Sequence, residues 1–373
     1  MNEKQLHIIS FDNPFPPNYG GVIDVFYKIK ALHQQGIKIY LHCFYLEKNQ
    51  VSDELKAITE KVFLYPKNRN PLFLFSHIPM SVISRFDEKL IENITSIKAP
   101  ILTEGLQSSM IINHLKLTDQ KIYLRLHNIE SNFYSGMSKN ESSILKKILY
   151  RLEAFKYKNY QKKIGQFDYV FGLSYFECDF IAQQTKNWSY LPVFHGNEIN
   201  NQLSEFGNFA LYHGDLRLAD NKRAAAFCIS VFKKIKNYKL IIASSNGRKF
   251  IANLIGDASN IEFIELQNHS QLEDLLNNAH LNILLSFQKS GTKLKIINAL
   301  HRSRFCLINE NMVDDEKILS LCQVATAEND FIENINILKS KPYLDNEIRK
   351  KTLSEVYNDT ENALKIVKVI WNS

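Results

Sequence analysis

Short apolar segments of strand length alternate with amphipathic helical segments along the whole chain of 373 residues. Parallel strands need a long crossover connection, usually a helix, so this alternation predicts parallel sheets that are covered by helices on both faces. After a first strand at residues 6–10, the further predicted strands lie at residues 37–42, 62–65, 100–103, 121–126 and 169–173, and then at 209–213, 240–243, 261–264, 281–285 and 305–308. We therefore expect two doubly wound α/β domains that face each other across a cleft, with ligands at the carboxyl ends of the strands.

The domain boundaries follow from length and local composition. A chain of this length exceeds what one hydrophobic core usually serves, which favours two domains. Residues 192–207 form a polar segment that contains proline and glycine, and we interpret it as the linker. The first domain then spans residues 1–191 and the second spans 208–358. The last segment, 359–373, has N-cap residues followed by an apolar stripe of helical spacing, which predicts a C-terminal helix.

The overall composition is that of an ordinary globular protein, with 45% hydrophobic and 23% charged residues. The net charge of +7 is compatible with anionic ligands, with an anionic membrane surface or with nucleic acid, and equally with solubility alone. Basic residues are not interleaved with aromatic residues in a recognisable module, so nucleic acid is not an expected partner.

Several classes of site are excluded by missing motifs. The five cysteines form no CxxC pair, which indicates free thiols in a reducing compartment. GxSxG, GxxxxGK[ST] and HExxH are absent, and carboxylate pairs are absent apart from Asp314-Asp315, so we expect neither a metal nor a cofactor. No apolar run approaches the ~18 residues of a membrane span. We expect a cytoplasmic protein, and a peripheral position at the inner membrane face stays open.

A glycine pair follows the first predicted strand. Gly20 and Gly21 come after a proline-rich loop and open a helix with an apolar face. A strand, a glycine loop and a helix N-terminus in this order form an anion site, because the unpaired N–H groups and the positive end of the helix dipole point at the ligand. The loop does not match GxGxxG, so a phosphorylated or sugar-like ligand is a better interpretation than NAD.

Polar residues also follow two later strands of the first half. His127 and Asn128 come directly after the strand KIYLRL, and His127 is expected to bind a sugar hydroxyl or a phosphate, or else a loop carbonyl. Glu130 is a second polar contact or a cap of the next turn. Glu104 follows the strand PILT and has three interpretations: it orients a substrate hydroxyl, it orients a basic residue, or it lies in a first helical turn.

The second half places cations after its first strand. Gly214 directly follows the strand FALYH, and Arg217, Lys222 and Arg223 come next within one loop and helix start. Arginine offers a planar fork and lysine a point charge, which together suit a diphosphate. The alternative is a solvated basic helix start.

A second glycine loop follows the strand LNILLSF. Gly291 is predicted to open a helix, with Thr292 and Lys293 in its first turn. The helix dipole disfavours lysine at that place, so a bound anion would explain it. Asn298 lies about two turns further on, on a side that Lys295 also reaches.

The segment 142–163 predicts a strongly basic amphipathic helix. Its apolar residues are Leu145, Ile148, Leu149, Leu152 and Phe155. Such a helix can lie on an anionic bilayer. We favour the alternative, an outer helix of the first domain.

Four segments together resemble one family. PFPPNYGG, RLHNIE, GLSYFE and SGTKLKIINAL, in this order, resemble glycosyltransferases of the GT-B type, and within them the retaining family 4. The resemblance covers essentially the whole chain. It implies two Rossmann-like domains, an acceptor-binding first domain, a second domain that binds a nucleotide sugar, and a C-terminal helix that crosses back to the first domain.

The resemblance also implies roles for single residues. Gly20 and Gly21 would lie near the donor phosphates and the acceptor, His127 near the transferred sugar, and Arg217 and Lys222 on the diphosphate. The family usually has two glutamates in an E-x7-E pattern, and this chain has Ser290 and Asn298 at those places. Asn298 can still accept and donate hydrogen bonds, as a ribose contact requires.

Two functions are consistent with these observations. The first is transfer of a hexose from a nucleotide sugar to a glycan or lipid-linked acceptor, with retention and without a metal, in the synthesis of a surface polysaccharide or glycoconjugate. Departure of a nucleoside diphosphate would be stabilised by cations and helix N-termini. The second is a non-catalytic relative that binds nucleotide sugars or acts as a scaffold subunit.

Overall fold

The structure is a computed structural model that describes residues 3–46, 50–117, 119–141, 143–200, 202–288, 293–344 and 346–372. The chain divides into two compact units, Met1–Phe194 with Tyr357–Ser373, and His195–Val356. The division falls inside the segment interpreted as the linker.

The first unit is built on a parallel sheet. In the described residues it has seven strands in the order β3-β2-β1-β4-β5-β6-β7. The strands are β1 (Gln5–Ser10), β2 (Lys38–Tyr45), β3 (Lys61–Pro66), β4 (Ile101–Glu104), β5 (Ile122–Leu126), β6 (Tyr169–Gly172) and β7 (Trp188–Tyr190). The chain moves from β3 at one edge back to β4 beside β1, so the carboxyl ends of β1 and β4 mark a switch point where open α/β sheets bind ligands.

Helices connect these strands. The α-helices are α1 (Gly20–Gln34), α2 (Asp53–Ile58), α3 (Met80–Ile83), α4 (Glu88–Ser96), α5 (Glu130–Asn140), α6 (Ile144–Tyr160) and α7 (Tyr175–Ala182). The 3-10 helices are Pro71–Phe75, Leu106–Leu117 and Gln161–Gln166.

The second unit repeats this plan. In the described residues its parallel sheet has six strands in the order β10-β9-β8-β11-β12-β13. They are β8 (Phe209–His213), β9 (Leu240–Ser244), β10 (Ile261–Glu265), β11 (Ala279–Leu284), β12 (Phe305–Ile308) and β13 (Gln323–Val324). The helices are α8 (Ala219–Lys233), α9 (Arg248–Ile255), α10 (His269–Asn278), α11 (Leu294–Arg302), α12 (Glu316–Leu319), α13 (Glu328–Leu338) and α14 (Glu347–Val356). Here the switch point lies between β8 and β11.

The last helix, α15 (Asp359–Trp371), belongs to the first unit. Its buried residues Ala363, Ile366, Val367 and Ile370 share one core with residues of β1, β2 and α1. The spacing of three and four residues puts them on one face of the helix, and each large side chain buried there contributes about 1.5–3 kcal/mol. The predicted apolar stripe therefore packs into the core of the first unit.

The two doubly wound parallel sheets confirm the predicted fold class. Two strands were not predicted, because β7 and β13 are only three and two residues long and lack a continuous apolar run. The start of α11 was predicted wrongly. The helix begins at Leu294, and Lys293 has extended backbone torsions of φ −84° and ψ 106°, which make it the N-cap rather than a first-turn residue. No helix in the described residues has both the length and the apolar character that crossing a bilayer requires.

Candidate functional site

A cluster of buried charged residues lies at the carboxyl ends of β4 and β5 in the first unit. Asp24 and Lys28 come from α1, Glu104 ends β4, and Arg125 and His127 lie in and just after β5. All five side chains are buried. Asp24 and Lys28 are four residues apart, so they lie on the same face of α1 and point at the strand ends together.

Lys28 is the centre of this cluster. Its Nζ lies 2.9 Å from Asp24 Oδ2, and 2.9 and 2.7 Å from the two carboxylate oxygens of Glu104. Arg125 donates to both oxygens of Asp24, at 3.3 and 3.2 Å, and to the main-chain carbonyls of Gly172, Leu191 and Pro192. Two carboxylates thus face two cations, and the charges compensate.

The pKa values of the two carboxyl groups reflect this compensation. Burial alone would raise the pKa of Asp24, but the charges of Arg125 and Lys28 hold it well below its ordinary range. Burial opposes ionisation of Glu104 as well, and Lys28, followed by His127, lowers its pKa. Both groups are therefore carboxylates at neutral pH.

Asp24, Glu104 and His127 bring one possible ligand atom each within 4.8 Å of one another, as a metal centre would. The Lys28 ammonium already lies 2.7–2.9 Å from oxygens of both carboxylates, where a cation would bind. The donor set is therefore satisfied as an ion-pair network, and the residues present do not fit a metal.

His127 is held in a defined orientation. Its Nε2 lies 2.9 Å from Glu104 Oε2, and the Phe11 ring packs edge-on at 5.5 Å between centroids. Among the described residues Nδ1 has no hydrogen-bond partner. Glu104 is thus hydrogen-bonded to a basic residue, one of the three interpretations made above, and Nδ1 is the ring nitrogen available to a ligand.

The glycine loop beside this cluster has one open position. A Cβ on Gly20 would meet no atom within 4 Å, whereas a Cβ on Gly21 would lie 2.7 Å from the Phe11 ring. The α1 N-cap, Tyr19, makes no capping hydrogen bond with its side chain. The backbone at Gly20 therefore faces space that a ligand can enter, and Gly21 is required for packing. Asn128 is partly exposed.

Glu130 is a buried carboxyl group for which the described residues provide no compensating ion pair. It begins α5 and is 1% exposed. Gln107 Nε2 lies 3.2 Å from Oε1, and within the described part of the chain Oε2 has no hydrogen-bond partner. Burial raises the pKa of Glu130 to about 7, although Gln107 and Arg85 act in the opposite direction.

In the second unit, the two cations predicted for the diphosphate point to other partners. Arg217 is largely exposed and forms a forked ion pair with Asp215, with Nε and Nη2 at 2.7–3.0 Å from the carboxylate oxygens. Lys222 lies in the first turns of α8 and extends over the Phe250 ring, 5.6 Å from its centroid. Both side chains are reachable from solvent.

A third cation, Lys295, lies directly at the carboxyl end of β8. Its Nζ donates to Asn221 Oδ1 at 2.7 Å and lies 5.2 Å from the centroid of the Tyr212 ring. A Cβ on Gly214 would come within 2.9 Å of that Nζ, so the ammonium lies close against the Gly214 backbone. Burial lowers the pKa of Lys295 to about 8.

The surroundings of Lys295 contain no ion pair with it in the described residues. The nearby Asp220 instead accepts hydrogen bonds from Ser286 Oγ and the Phe287 N–H, at 3.1 and 3.0 Å. His213, the last residue of β8, is buried, and its Nε2 has no hydrogen-bond partner among the residues that the structure describes. Burial lowers the pKa of His213 to about 3. A positive ammonium therefore lies beside a neutral imidazole and a glycine loop, which is a suitable arrangement for an anion.

The structure describes two of the remaining predicted site residues, Asn298 and Lys293. Asn298 is half-buried on α11, and its Oδ1 accepts a hydrogen bond from Asn197 at 2.9 Å. Lys293 is the N-cap of α11. Ser290, Gly291 and Thr292 lie outside the described residues.

Sequence reasoning did not single out Asp24, Lys28, Arg125 or Lys295 as site residues. A signal existed for the first pair, because an acid and a base four residues apart interrupt the apolar face of α1. Lys295 was noted only as a neighbour of Asn298. Its approach to Gly214 depends on a contact between residues 81 positions apart, which no local pattern reveals.

Comparison with known proteins agrees with this architecture. No family model matches the chain. An uncharacterized 44.6 kDa protein in the cps region of Klebsiella pneumoniae is 25% identical over 322 residues, 81% of each chain. The structure of sucrose-phosphate synthase (tll1590) from Thermosynechococcus elongatus is similar with a TM-score of 0.71 and 12% identity over 98% of each chain. The complex of Anabaena Alr3699/HepE with UDP-glucose gives a TM-score of 0.63 and 10% identity, over 99% of this chain and 100% of that chain.

These likenesses, together with the two parallel sheets, define the class of the fold. The chain has the GT-B fold, which is found in glycosyltransferases of known structure. Identities of 10–12% establish the fold alone.

Proposed function

We propose that this protein is a glycosyltransferase that moves a hexose from a nucleotide sugar to a glycan or lipid-linked acceptor, with retention of configuration and without a metal. The observation that carries the proposal is the Lys295 ammonium, which lies at the carboxyl end of β8 beside Gly214, with no carboxylate of the described residues in contact. In a protein with the GT-B fold, a diphosphate is the anion that best matches this position.

The donor would be bound by the second unit. The Lys295 ammonium binds the diphosphate, and the exposed side chain of Lys222 adds positive charge at its outer side, whereas the charge of Arg217 is paired with Asp215. Asn298, whose amide can both donate and accept, contacts ribose hydroxyls. The similar HepE structure is a complex with UDP-glucose, so uridine nucleotides are the first donors to test.

The first unit would supply the residues that contact the transferred sugar. His127 Nδ1 hydrogen-bonds a hydroxyl of the sugar, and Glu104, through Nε2, is the positioning residue that fixes the ring. The open backbone at Gly20 admits the phosphate or the acceptor. Neither carboxylate of the cluster is free to act as a nucleophile, because both are bound by Lys28. Front-face attack with retention needs no protein nucleophile, and catalysis then consists mainly of stabilising the departing diphosphate.

The proposed biological context is polysaccharide or glycoconjugate synthesis. The relative in the cps region supports this context, since it covers 81% of this chain.

The test is a binding and transfer assay with a panel of nucleotides. UDP, GDP, ADP and UDP-glucose are titrated against the protein while its thermal unfolding is followed, because a ligand that binds the folded state raises the melting temperature. We expect one nucleotide diphosphate to stabilise the protein. Lys295→Met should weaken its binding by about 10-fold to 100-fold, since a charge-assisted hydrogen bond contributes about 1.5–3 kcal/mol.

Two variants separate the roles of the units. His127→Ala should reduce transfer much more than nucleotide binding, and Lys222→Ala should reduce both. Lys236→Ala, an exposed lysine after α8, serves as the matched control and should leave both unchanged. Absence of binding by every nucleotide would overturn the proposal. Binding without transfer to any acceptor would favour the alternative, a nucleotide-sugar-binding or scaffold subunit, which the replacement of both family glutamates by Ser290 and Asn298 supports.

A further inference from the structure

Helix α6 turns its apolar face to solvent. Ile144 is 77% and Phe155 is 65% exposed, and the other exposed apolar residues of this helix are Leu145, Ile148 and Leu152. Their spacing of three and four residues places them on one stripe. The helix is an outer helix of the first unit, as favoured from the sequence, and its apolar side is the exposed one.

The orientation of α6 is fixed by polar contacts on its other face. Glu153 and Lys156 are buried there as an ion pair of 3.3 Å. Glu153 Oε2 accepts a hydrogen bond from the Met80 N–H at 2.9 Å, and Lys156 donates to the carbonyls of Phe73 and Leu74 at 3.2 and 3.0 Å. Turning the apolar stripe inward would break these buried contacts, so the exposed stripe is part of the folded state.

A neighbouring segment extends the apolar surface. The 3-10 helix Pro71–Phe75 lies against α6, and its Phe75 is 87% exposed. A groove of about 660 Å³ separates the two elements, and its apolar lining includes Leu74, Phe75, Leu149, Leu152 and Phe155. Exposed apolar surface of this continuity on a globular protein marks an interaction site.

The charges around this stripe are positive. Lys146, Arg151 and Lys158 on α6 and Lys162 just after it are exposed, and none of them forms an ion pair in the described residues. The single acidic residue of α6, Glu153, is buried. We call the exposed apolar and basic residues of 71–75 and 144–162 the α6 surface.

We propose that the α6 surface docks on an anionic phospholipid bilayer. The apolar side chains enter the boundary between headgroups and acyl chains, the basic residues contact the phosphates, and the groove accepts an acyl chain. A second copy of the chain is a poorer occupant, because a two-fold interface through α6 would bring its lysines against those of the other copy. This proposal does not depend on the proposed function.

The experiment measures vesicle binding by co-sedimentation. Wild-type protein should bind vesicles of phosphatidylcholine with phosphatidylglycerol, release them at high salt, and bind vesicles of phosphatidylcholine alone at least about tenfold more weakly. The triple variant Phe75→Ser, Ile148→Ser, Phe155→Ser should lose at least about tenfold in binding. The triple variant Lys146→Gln, Arg151→Gln, Lys158→Gln should likewise lose at least about tenfold in vesicle binding.

Matched controls lie on the second unit. Ile337, Leu344 and Ile348 are exposed apolar residues there, and their triple serine variant should bind like wild type. Binding that neither α6 variant reduces, or no binding to anionic vesicles, would overturn the proposal. A wild-type dimer in solution that the Phe75, Ile148 and Phe155 substitutions dissociate, without anionic vesicle binding, would assign the surface to a second copy instead. Nucleotide binding by each variant is measured in parallel, so failure of docking and failure of the proposed donor site are distinguishable.

Discussion

The two units treat buried charge in opposite ways. In the first unit, Lys28 lies 2.7–2.9 Å from oxygens of two carboxylates, and a second cation, Arg125, completes the network. In the second unit, Lys295 makes one hydrogen bond to the neutral amide of Asn221 and approaches a glycine backbone. Both lysines lie near the carboxyl ends of central strands, but within the described parts of the chain only Lys28 forms ion pairs, whereas Asp220 and Asp215 act on the pKa of Lys295 without direct contact.

This difference distinguishes a lysine that stabilises the folded structure, Lys28, from a lysine that can bind a ligand, Lys295. A charge that the protein compensates internally has no capacity left for a ligand, and it stabilises the arrangement of its neighbours. A cation that burial disfavours and no carboxylate compensates gains most when an anion arrives. The carboxyl groups of the first unit show the same contrast, since Glu104 is paired with Lys28, whereas Glu130 has no ion pair among the residues that the structure describes.

The largest expected effect is that of Lys28→Met. Removing this ammonium leaves two buried carboxylates with one remaining cation, which costs about 3–5 kcal/mol of unfolding free energy. Urea unfolding followed by circular dichroism measures it. Lys30→Met, at an exposed position of the same helix, is the control and should change the free energy by less than about 0.5 kcal/mol. If Lys28→Met behaves like the control, the cluster of the first unit is not a compensated scaffold.

The fold could be predicted from the sequence, but the contrast between Lys28, which is ion-paired, and Lys295, which has no ion pair within the described ranges, could not. The alternation of apolar strands and amphipathic helices determines a parallel α/β architecture, because local periodicity and crossover geometry suffice for it. Residues that follow strands, such as His127 and Gly214, could be placed at the carboxyl ends for the same reason. The residues that contact them from distant positions of the chain could not be identified in this way. Lys28 contacts Glu104 across 76 positions, and Lys295 contacts Asn221 across 74.

The face that a helix buries was also beyond the sequence. The apolar stripe of α6 follows the usual spacing of a core helix, yet this stripe is exposed, because Glu153 and Lys156 on the other face are held by Met80, Phe73 and Leu74. A spacing pattern identifies which residues share a face, but not which neighbour that face meets.

Glu130→Gln sharpens the contrast between the two buried carboxyl groups. The pKa of Glu130 is about 7 in the folded protein against an ordinary value of 4.5. The folded state therefore holds the proton that the unfolded state releases, and stability from this group is lost as pH rises from about 4.5 to 7. Glutamine removes this loss, so the variant should match wild type near pH 4.5 and be more stable by about 3 kcal/mol at pH 8.

Unfolding of both proteins in urea across this pH range measures the difference. Glu92→Gln, an exposed position on α4, should give the wild-type profile. Equal stability of Glu130→Gln and wild type at pH 8 would mean that the uncompensated carboxyl group costs nothing, and the distinction from Glu104 would fail.

The smallest and most decisive effect on stability is that of Lys295→Met. Burial lowers the pKa of Lys295 to about 8 from 10.5, so the folded state disfavours its charge. Below pH 8 Lys295 is protonated in the folded and the unfolded state, so the folded state bears the full free-energy cost of burying its charge. Between about pH 8 and 10.5 the folded state has lost the proton while the unfolded state still holds it, so stability rises with pH. At pH 7 the methionine variant loses this cost together with the bond to Asn221, for a net gain of about 0–1 kcal/mol. The change from lysine to methionine thus alters the free energy of unfolding in opposite directions at Lys28 and Lys295, and at Lys295 it also weakens the binding of a nucleoside diphosphate.

Urea unfolding with and without UDP measures both effects. A loss of stability as large as that of Lys28→Met would show that Lys295 belongs to the scaffold, and the assignment of the second unit as the anion-binding half would be wrong.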